Sequence, residues 1–335
     1  MGDEQRTDYR LNSLTPIKQN NMKRYLCLIC LLFALFVCGR AQQITFTPQW
    51  TPQSQFAGYY AALENGYYAE AGLDVTIEHP TNSYSSMSML KDGMANIITA
   101  ELIRAMMATD QEVRLVNLLQ TTQHSTLVLV SRVEGVTRLA DLAGRRVGTW
   151  RAGFSEIPHM IDDEQLLGIE WVQFTNPLNL YISGAIDAAL CKSYNEQVLF
   201  SMAGITPASV LRFADMGFDF PEDGLYVTEA FYKKFPEQCR LFAEASCKGW
   251  EWVRGHREEA LAIVMKHAKA ENVPTNIYTQ RWMLEAVLQE QEDVKGEAPS
   301  YSLSVDAFDR LNALLLNHGY ISKPVVYNRF VGGNQ

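Results

Sequence analysis

From Gln43 to Phe213, short apolar runs alternate with helix-patterned segments, and this rhythm constrains the fold more than any other feature of the chain. Strands that alternate with helices build doubly wound α/β sheets. The first unit sets the pattern. Gln43–Phe46 is a short alternating apolar run and is predicted as a strand. Pro48–Gln55 holds two prolines and three glutamines and reads as a loop. From Phe56 onward Tyr59, Tyr60, Leu63 and Tyr67 recur at helical spacing, Gly72 stands where a helix ends, and Asp74–Ile77 returns to β character. Ligands in open α/β sheets sit beyond the carboxyl ends of the strands, which is where such a loop and helix start would lie. Trp50 is in that loop with no apolar period around it, so its ring is a candidate contact. Phe56 and Tyr59 are candidates for the same role, against the alternative that they are core; Tyr60 and Leu63 read as core.

The rhythm continues with helices predicted over Ser85–Lys91 and Glu101–Thr109, and strands over Ala95–Ile98, Val113–Leu119 and Thr126–Ser131. A second series follows Glu134 and Gly135. A helix is predicted over Thr137–Ala143, with strands at Arg146–Gly148, Glu170–Phe174, Ala188–Cys191 and Val210–Phe213 and helices between them. Beyond Gly224 there is one β run, Leu225–Thr228, and then mostly helix, with Pro236 suited to open one helix and Ser304 to cap another. The expected architecture is α/β, with two doubly wound lobes. Residues 42–131 plus 224–335 form the first and residues 132–223 the second. Two crossings between them would act as a hinge, with a helical C-terminal tail, as in the type II periplasmic binding-protein fold.

The N-terminal residues 1–41 read as a leader and signal peptide. Met22-Lys23-Arg24 is a basic start, Tyr25–Val37 is an apolar run too short to span a bilayer comfortably, and Gly39-Arg40-Ala41 offers a cleavage site after Ala41. The alternative is lipidation at Cys38, against which the bulky Val37 stands; the polar residues before Met22 suggest Met22 as the true start. A periplasmic or other extracytoplasmic location is therefore expected. Without the leader the chain keeps 23 basic and 35 acidic residues. That surface has no basic stripe and suits no nucleic acid, whose phosphates need clustered lysine and arginine. Cys191, Cys239 and Cys247 have no disulfide spacing and read as free thiols.

Chemistry-bearing motifs are sparse. The six histidines are scattered without metal-ligand spacing, and no nucleophile elbow, Walker sequence or dinucleotide fingerprint is present. No metal and no cofactor is expected. What remains is a set of polar and aromatic residues at predicted strand ends: Trp50 and Phe56; Glu101; Trp150, Gly153, Phe154 and Glu156; and Tyr194, Asn195 and Glu196. Flat apolar walls suit an aromatic heterocycle. A carboxylate suits the exocyclic amine of an aminopyrimidine, with Glu196 the first choice and Glu156 the second. The other reading of either glutamate is a solvated charge favoured by a helix N-terminus. Gly153 and Arg151 near a helix start leave an anionic ligand open as well.

Trp50 followed by FAGYYAALENGYYAEAGLDVTI over residues 56–77 resembles the opening of the binding proteins for thiamine pyrimidine precursors. The likeness continues through Gly144–Phe154, Ala188–Glu196 and Pro221–Thr228, and so covers nearly all of the chain from Ile44 onward. These proteins serve ABC importers, and the family also includes the eukaryotic hydroxymethylpyrimidine phosphate synthase. The resemblance implies a monomeric solute-binding protein that carries an aminopyrimidine to a membrane permease, and it strengthens the assignment of Glu196 because it runs through Tyr194-Asn195-Glu196. It implies no enzyme. The synthase uses a lysine and a histidine close after its third strand, whereas Ile97–Asp110 contains neither, and Phe218–Leu225 lacks the synthase's cysteines. A synthase-like enzyme, a carrier of another aromatic compound such as riboflavin, and a sensory module presenting ligand to a separate kinase are the alternatives.

Overall fold

The computed structural model describes residues 42–81, 83–111, 113–151, 154–293 and 297–332. The expected leader, with Cys38, and the candidate Gly153 lie outside the described residues. The chain first lays down β1 (Gln42–Thr47), β2 (Leu73–Ile77), β3 (Ile97–Glu101) and β4 (Leu115–Gln120). It then crosses to make β5 (Leu127–Ser131), β6 (Arg146–Trp150), β7 (Glu170–Phe174), β8 (Ala188–Lys192) and β9 (Ser209–Arg212), and returns for β10 (Asp223–Thr228). Two five-stranded sheets result, ordered β2-β1-β3-β10-β4 and β7-β6-β8-β5-β9.

The strand sequences fit their places. β3, β5 and β8 are interior strands buried along their whole length, and their side chains are almost continuously apolar or small. β2 is an edge strand and alternates between buried and exposed residues.

The sheets are mixed rather than purely parallel. β1 runs parallel to β2 and β3, and β6 parallel to β7 and β8. β10 is antiparallel to both its neighbours, and so is β5. These two are the first strands made after each crossing. The chain enters each sheet from the cleft end, opposite to the direction in which the other strands run. β5 therefore lies in the second sheet, with β6 to β9, and the chain passes between the sheets in the segment between Gln120 and Leu127.

Helices cover the sheets. Ala57–Glu64 packs on the long helix Pro236–Gly255 at very short range. A Cβ added to Gly249 would lie 2.0 Å from the Gly58 carbonyl oxygen, and one on Gly58 would lie 2.2 Å from the Trp250 ring. Only glycine permits that approach. The helix expected over Thr137–Ala143 is a single 3-10 turn, Leu139–Leu142. After β10 the chain is helical through Arg257–Ala270, Ile277–Glu290 and Val305–Asn317, with Pro236 in a first turn and the Ser304 hydroxyl accepting the Ala307 amide as a cap. Among the described residues no helix is long and apolar enough to cross a membrane. Cys191 and Cys239 are buried and Cys247 half-buried, all as free thiols.

Candidate functional site

The carboxyl ends of β1 and β3 face those of β6 and β8 across the cleft, and a cavity of about 40 Å³ lies between them. The first lobe lines it with Gln49, Trp50, Gln53, Gln55 and Glu101. The second contributes Trp150, Phe154, Lys192, Tyr194, Asn195 and Glu196. Of the residues chosen from sequence, Trp50, Glu101, Trp150, Phe154, Tyr194, Asn195 and Glu196 thus meet at one place.

Aromatic rings form the walls. Trp50 is 39% exposed and meets Phe154 edge-on from the opposite lobe, ring centroids 6.3 Å apart. Trp150 also stands edge-on to Phe154 at 6.4 Å and to Phe174 at 5.6 Å. Phe154 holds a left-handed backbone, φ 69°, which a bulky residue adopts only where its surroundings enforce it. The Trp50 loop is pinned from behind. His79 Nδ1 lies 2.6 Å from the Trp50 carbonyl oxygen, and Nε2 lies 3.1 Å from the Tyr60 hydroxyl. Burial lowers the His79 pKa, so the ring is neutral; it donates to the carbonyl and accepts from the tyrosine.

Carboxylates form the floor. Lys192, the last residue of β8, lies 2.7 Å from Glu101 Oε1 and 2.8 Å from Glu222 Oε2. Burial works against the Lys192 charge, but Glu101 and Glu222 outweigh it and hold the ammonium above its ordinary value. Glu101 is pushed up to about 7 by burial, with Lys192 opposing. Glu222 also accepts from the Ser125 hydroxyl, the Thr126 amide and the Thr126 hydroxyl, which ties the two crossings together. Glu196 opens the helix Glu196–Met202, where its charge suits the dipole. Its carboxylate accepts from Trp150 Nε1 at 3.1 Å, Asn195 Nδ2 at 3.1 Å and the Lys192 amide at 2.9 Å, and burial raises its pKa. Glu101 and Glu196 line the cavity, Glu222 and Asp223 are buried against its lining residues, and Lys192 is the sole lysine or arginine among the buried described residues. The floor therefore carries a surplus of negative charge.

Four candidates fall elsewhere or are not described. Phe56 is 1% exposed and does not line the cavity. Tyr59 points into the core of the first lobe, where its hydroxyl meets Thr121 at 2.8 Å and its ring packs on Phe46 and Trp250. Glu156 pairs with Arg104 of the opposite lobe at 2.7 Å and lines a neighbouring recess. Gly153 is outside the described residues, and Arg151 is exposed. Sequence reading missed Gln49, Gln53, Gln55 and Lys192. The glutamines read only as loop residues, and Lys192 falls one residue past the strand predicted over Ala188–Cys191.

Comparison with known proteins agrees with this architecture. The chain is 24% identical over 285 residues to the formylaminopyrimidine-binding protein of Halalkalibacterium halodurans, covering 83% of this chain and 86% of that protein. It is 25% identical over 230 residues to a 4-amino-5-hydroxymethyl-2-methylpyrimidine phosphate synthase of Saccharomyces cerevisiae, covering 63% of this chain and 67% of that one. The crystal structure of the periplasmic aliphatic sulphonate binding protein SsuA from Escherichia coli superposes with a TM-score of 0.62 over 88% of this chain and 98% of its own, at 13% identity. That likeness shows the fold, two α/β lobes of the type II periplasmic binding-protein kind. The family model described as NMT1/THI5 like matches residues 53–260, from the glutamine loop through both crossings and into the C-terminal helices, and the chain belongs to that family.

Proposed function

We propose that this protein is the solute-binding component of an ABC importer, which takes an aminopyrimidine precursor of thiamine between its lobes and delivers it to a membrane permease. The observation that carries the reading is the combination of aromatic walls with a floor of surplus carboxylate. Trp50, Trp150 and Phe154 suit a flat ring. The negative floor suits a ring edge with amine hydrogens or a protonated nitrogen, and it repels a sulfonate or phosphate. The formylaminopyrimidine specificity named for the H. halodurans relative supports the same class of ligand.

The roles of the carboxylates follow from their partners. Glu196 already holds three protein donors and serves to fix Trp150. Glu101 is the acceptor for the ligand amine, next to Lys192. Binding without chemistry also fits Lys192. An amine held protonated between two carboxylates is not the neutral nucleophile that a Schiff base requires. The leader expected over residues 1–41 supports an extracytoplasmic location, and the proposal takes the carrier to act as a monomer.

Mass spectrometry of the ligand released from protein purified from its native host tests the reading, backed by thermal-shift titration with aminopyrimidines, thiamine, riboflavin and alkanesulfonates. An aminopyrimidine should be released and should stabilise the protein most. A sulfonate or a flavin in its place would refute the assignment. Uptake of labelled ligand by cells with and without the gene tests delivery to a permease.

A further inference from the structure

Asp223 does not line the cavity, yet two residues that do are bonded to it. Gln49 Nε2 donates to Asp223 Oδ1 at 2.8 Å, and Gln55 Nε2 donates to Asp223 Oδ2 at 2.5 Å. Gln55 then accepts from Gln53 Nε2 at 2.5 Å through its own Oε1. The carboxylate itself is held from its backbone. The Asp223 carbonyl accepts from the amides of Thr121 and Thr122 and from Gln120 Nε2, and the Asp223 amide donates to the Thr122 hydroxyl. Burial pushes Asp223 up to about 6, so it remains a carboxylate at neutral pH.

An ionised carboxylate only accepts hydrogen bonds. It can therefore face only the NH₂ end of a glutamine, and the trigonal amide must turn its oxygen the other way. Gln49 Oε1 is buried and has no hydrogen-bond partner among the described residues. A buried acceptor left unmade costs free energy, and a ligand that supplies a donor recovers it.

We propose that Asp223 is a positioning residue that sets the hydrogen-bond polarity of the pocket: by taking the amide hydrogens of Gln49 and Gln55, it presents the Gln49 oxygen to the ligand and selects a ring edge that donates. This deepens, and rests on, the reading of the pocket as an aminopyrimidine site. The glutamine amides are by themselves indifferent, since either end can bond. Their direction is imposed by one residue behind the wall. An oxo group in place of the amine would set oxygen against oxygen at Gln49, and a site built to hold a donor rejects its absence strongly.

The test compares the hydroxymethyl aminopyrimidine with the same ring carrying oxo in place of the amine, by calorimetry on wild type and Asp223→Asn. Asparagine can turn either end toward Gln49, so the amide loses its fixed direction. The preference for the amino ring should fall by about tenfold or more, the scale of one hydrogen bond, and the oxo ring should gain relative affinity. Equal losses for both rings would mean a merely structural role and would overturn the proposal. Should the asparagine variant not fold, Gln49→Leu removes the acceptor directly and should lower the preference by about the same factor, leaving the share due to Glu101; an unchanged preference there overturns the proposal too. A second measurement needs no ligand. NMR of the free wild-type protein should show the Gln49 side-chain amide protected from exchange and shifted by its bond to Asp223; free exchange would overturn the inference. If wild type binds neither ring, the aminopyrimidine reading is refuted, and the NMR result alone decides whether Asp223 orients Gln49.

Discussion

Lys192 Nζ lies 2.7 Å from Glu101 Oε1, and this ion pair joins the end of β8 in one lobe to the end of β3 in the other. With Glu222 on the second crossing as its other partner, Lys192 gathers both lobes and the hinge at one buried charge. Lys192→Met should strand two buried carboxylates, a change that costs about 3–5 kcal/mol when a buried pair is broken from one side. Urea unfolding reads the loss. Burial pushes Glu101 up to about 7 even beside the lysine, so the deficit should be largest above that value and shrink as acid supplies the missing proton. A deficit independent of pH would show that the carboxylates are solvated in the variant.

Trp50 is half in solvent and its loop is held from behind by His79, so Trp50→Ala should leave folding nearly intact. It should remove ring stacking of about 1–3 kcal/mol, or roughly one to two decades of affinity for an aminopyrimidine. Calorimetry checks this; affinity within a factor of about two of wild type, well under 1 kcal/mol, would remove Trp50 from the binding surface.

Glu196→Gln and Glu101→Gln should behave differently. At Glu196 the new NH₂ would face Trp150 Nε1, Asn195 or the Lys192 amide, all donors. Setting donor against donor should cost stability by about 1–3 kcal/mol, with binding weakened only through a displaced Trp150. At Glu101 the loss should fall on the ligand amine, as a drop in affinity on the scale of a charged hydrogen bond, about 1.5–3 kcal/mol. If the glutamine at 196 abolishes binding at unchanged melting temperature, the two roles are exchanged.

His124, on the first crossing, lies 2.8 Å from Asp219, on the second, and Asp219 also accepts the Ser125 amide. The Asp219 bond raises the His124 pKa above 6.5. Its stabilisation is therefore fully present below the unfolded value and is lost as pH rises through the folded one. Burial opposes the Asp219 charge, but His124 and Ser125 hold its pKa below 3.8, so its contribution is present above that value and is lost as pH falls through the folded one. The melting temperature of wild type should exceed that of His124→Gln most at about pH 5–6 and converge with it above neutrality. Parallel pH curves would show that the hinge pair is silent.

The site was legible in part because its aromatic residues follow apolar runs directly. Trp50, Trp150 and Tyr194 each stand at or just past a strand end, and that is local information. Tyr59 shows the limit. Helical spacing placed it on an apolar face, but which face turns inward is decided by Trp250, far along the chain. Lys192, Glu222 and Asp223 come together only after both crossings are made, and no local pattern marks them as partners. Strand direction was illegible for the same reason. β5 and β10 look like any other apolar run, and their reversal comes from the side on which the chain enters each sheet.

The place of β10 also orders the assembly of the molecule. It fills the slot between β3 and β4, so the first sheet lacks an interior strand until Asp223–Thr228 has been synthesised. The second sheet is drawn entirely from one continuous stretch, Leu127–Arg212, and has all its strands by then. During translation the inserted lobe can close first, shortening the long loop that β10 must span to reach its neighbours. In that interval β3 and β4 expose unpaired flanks, and those flanks are where a stalled or truncated chain would aggregate.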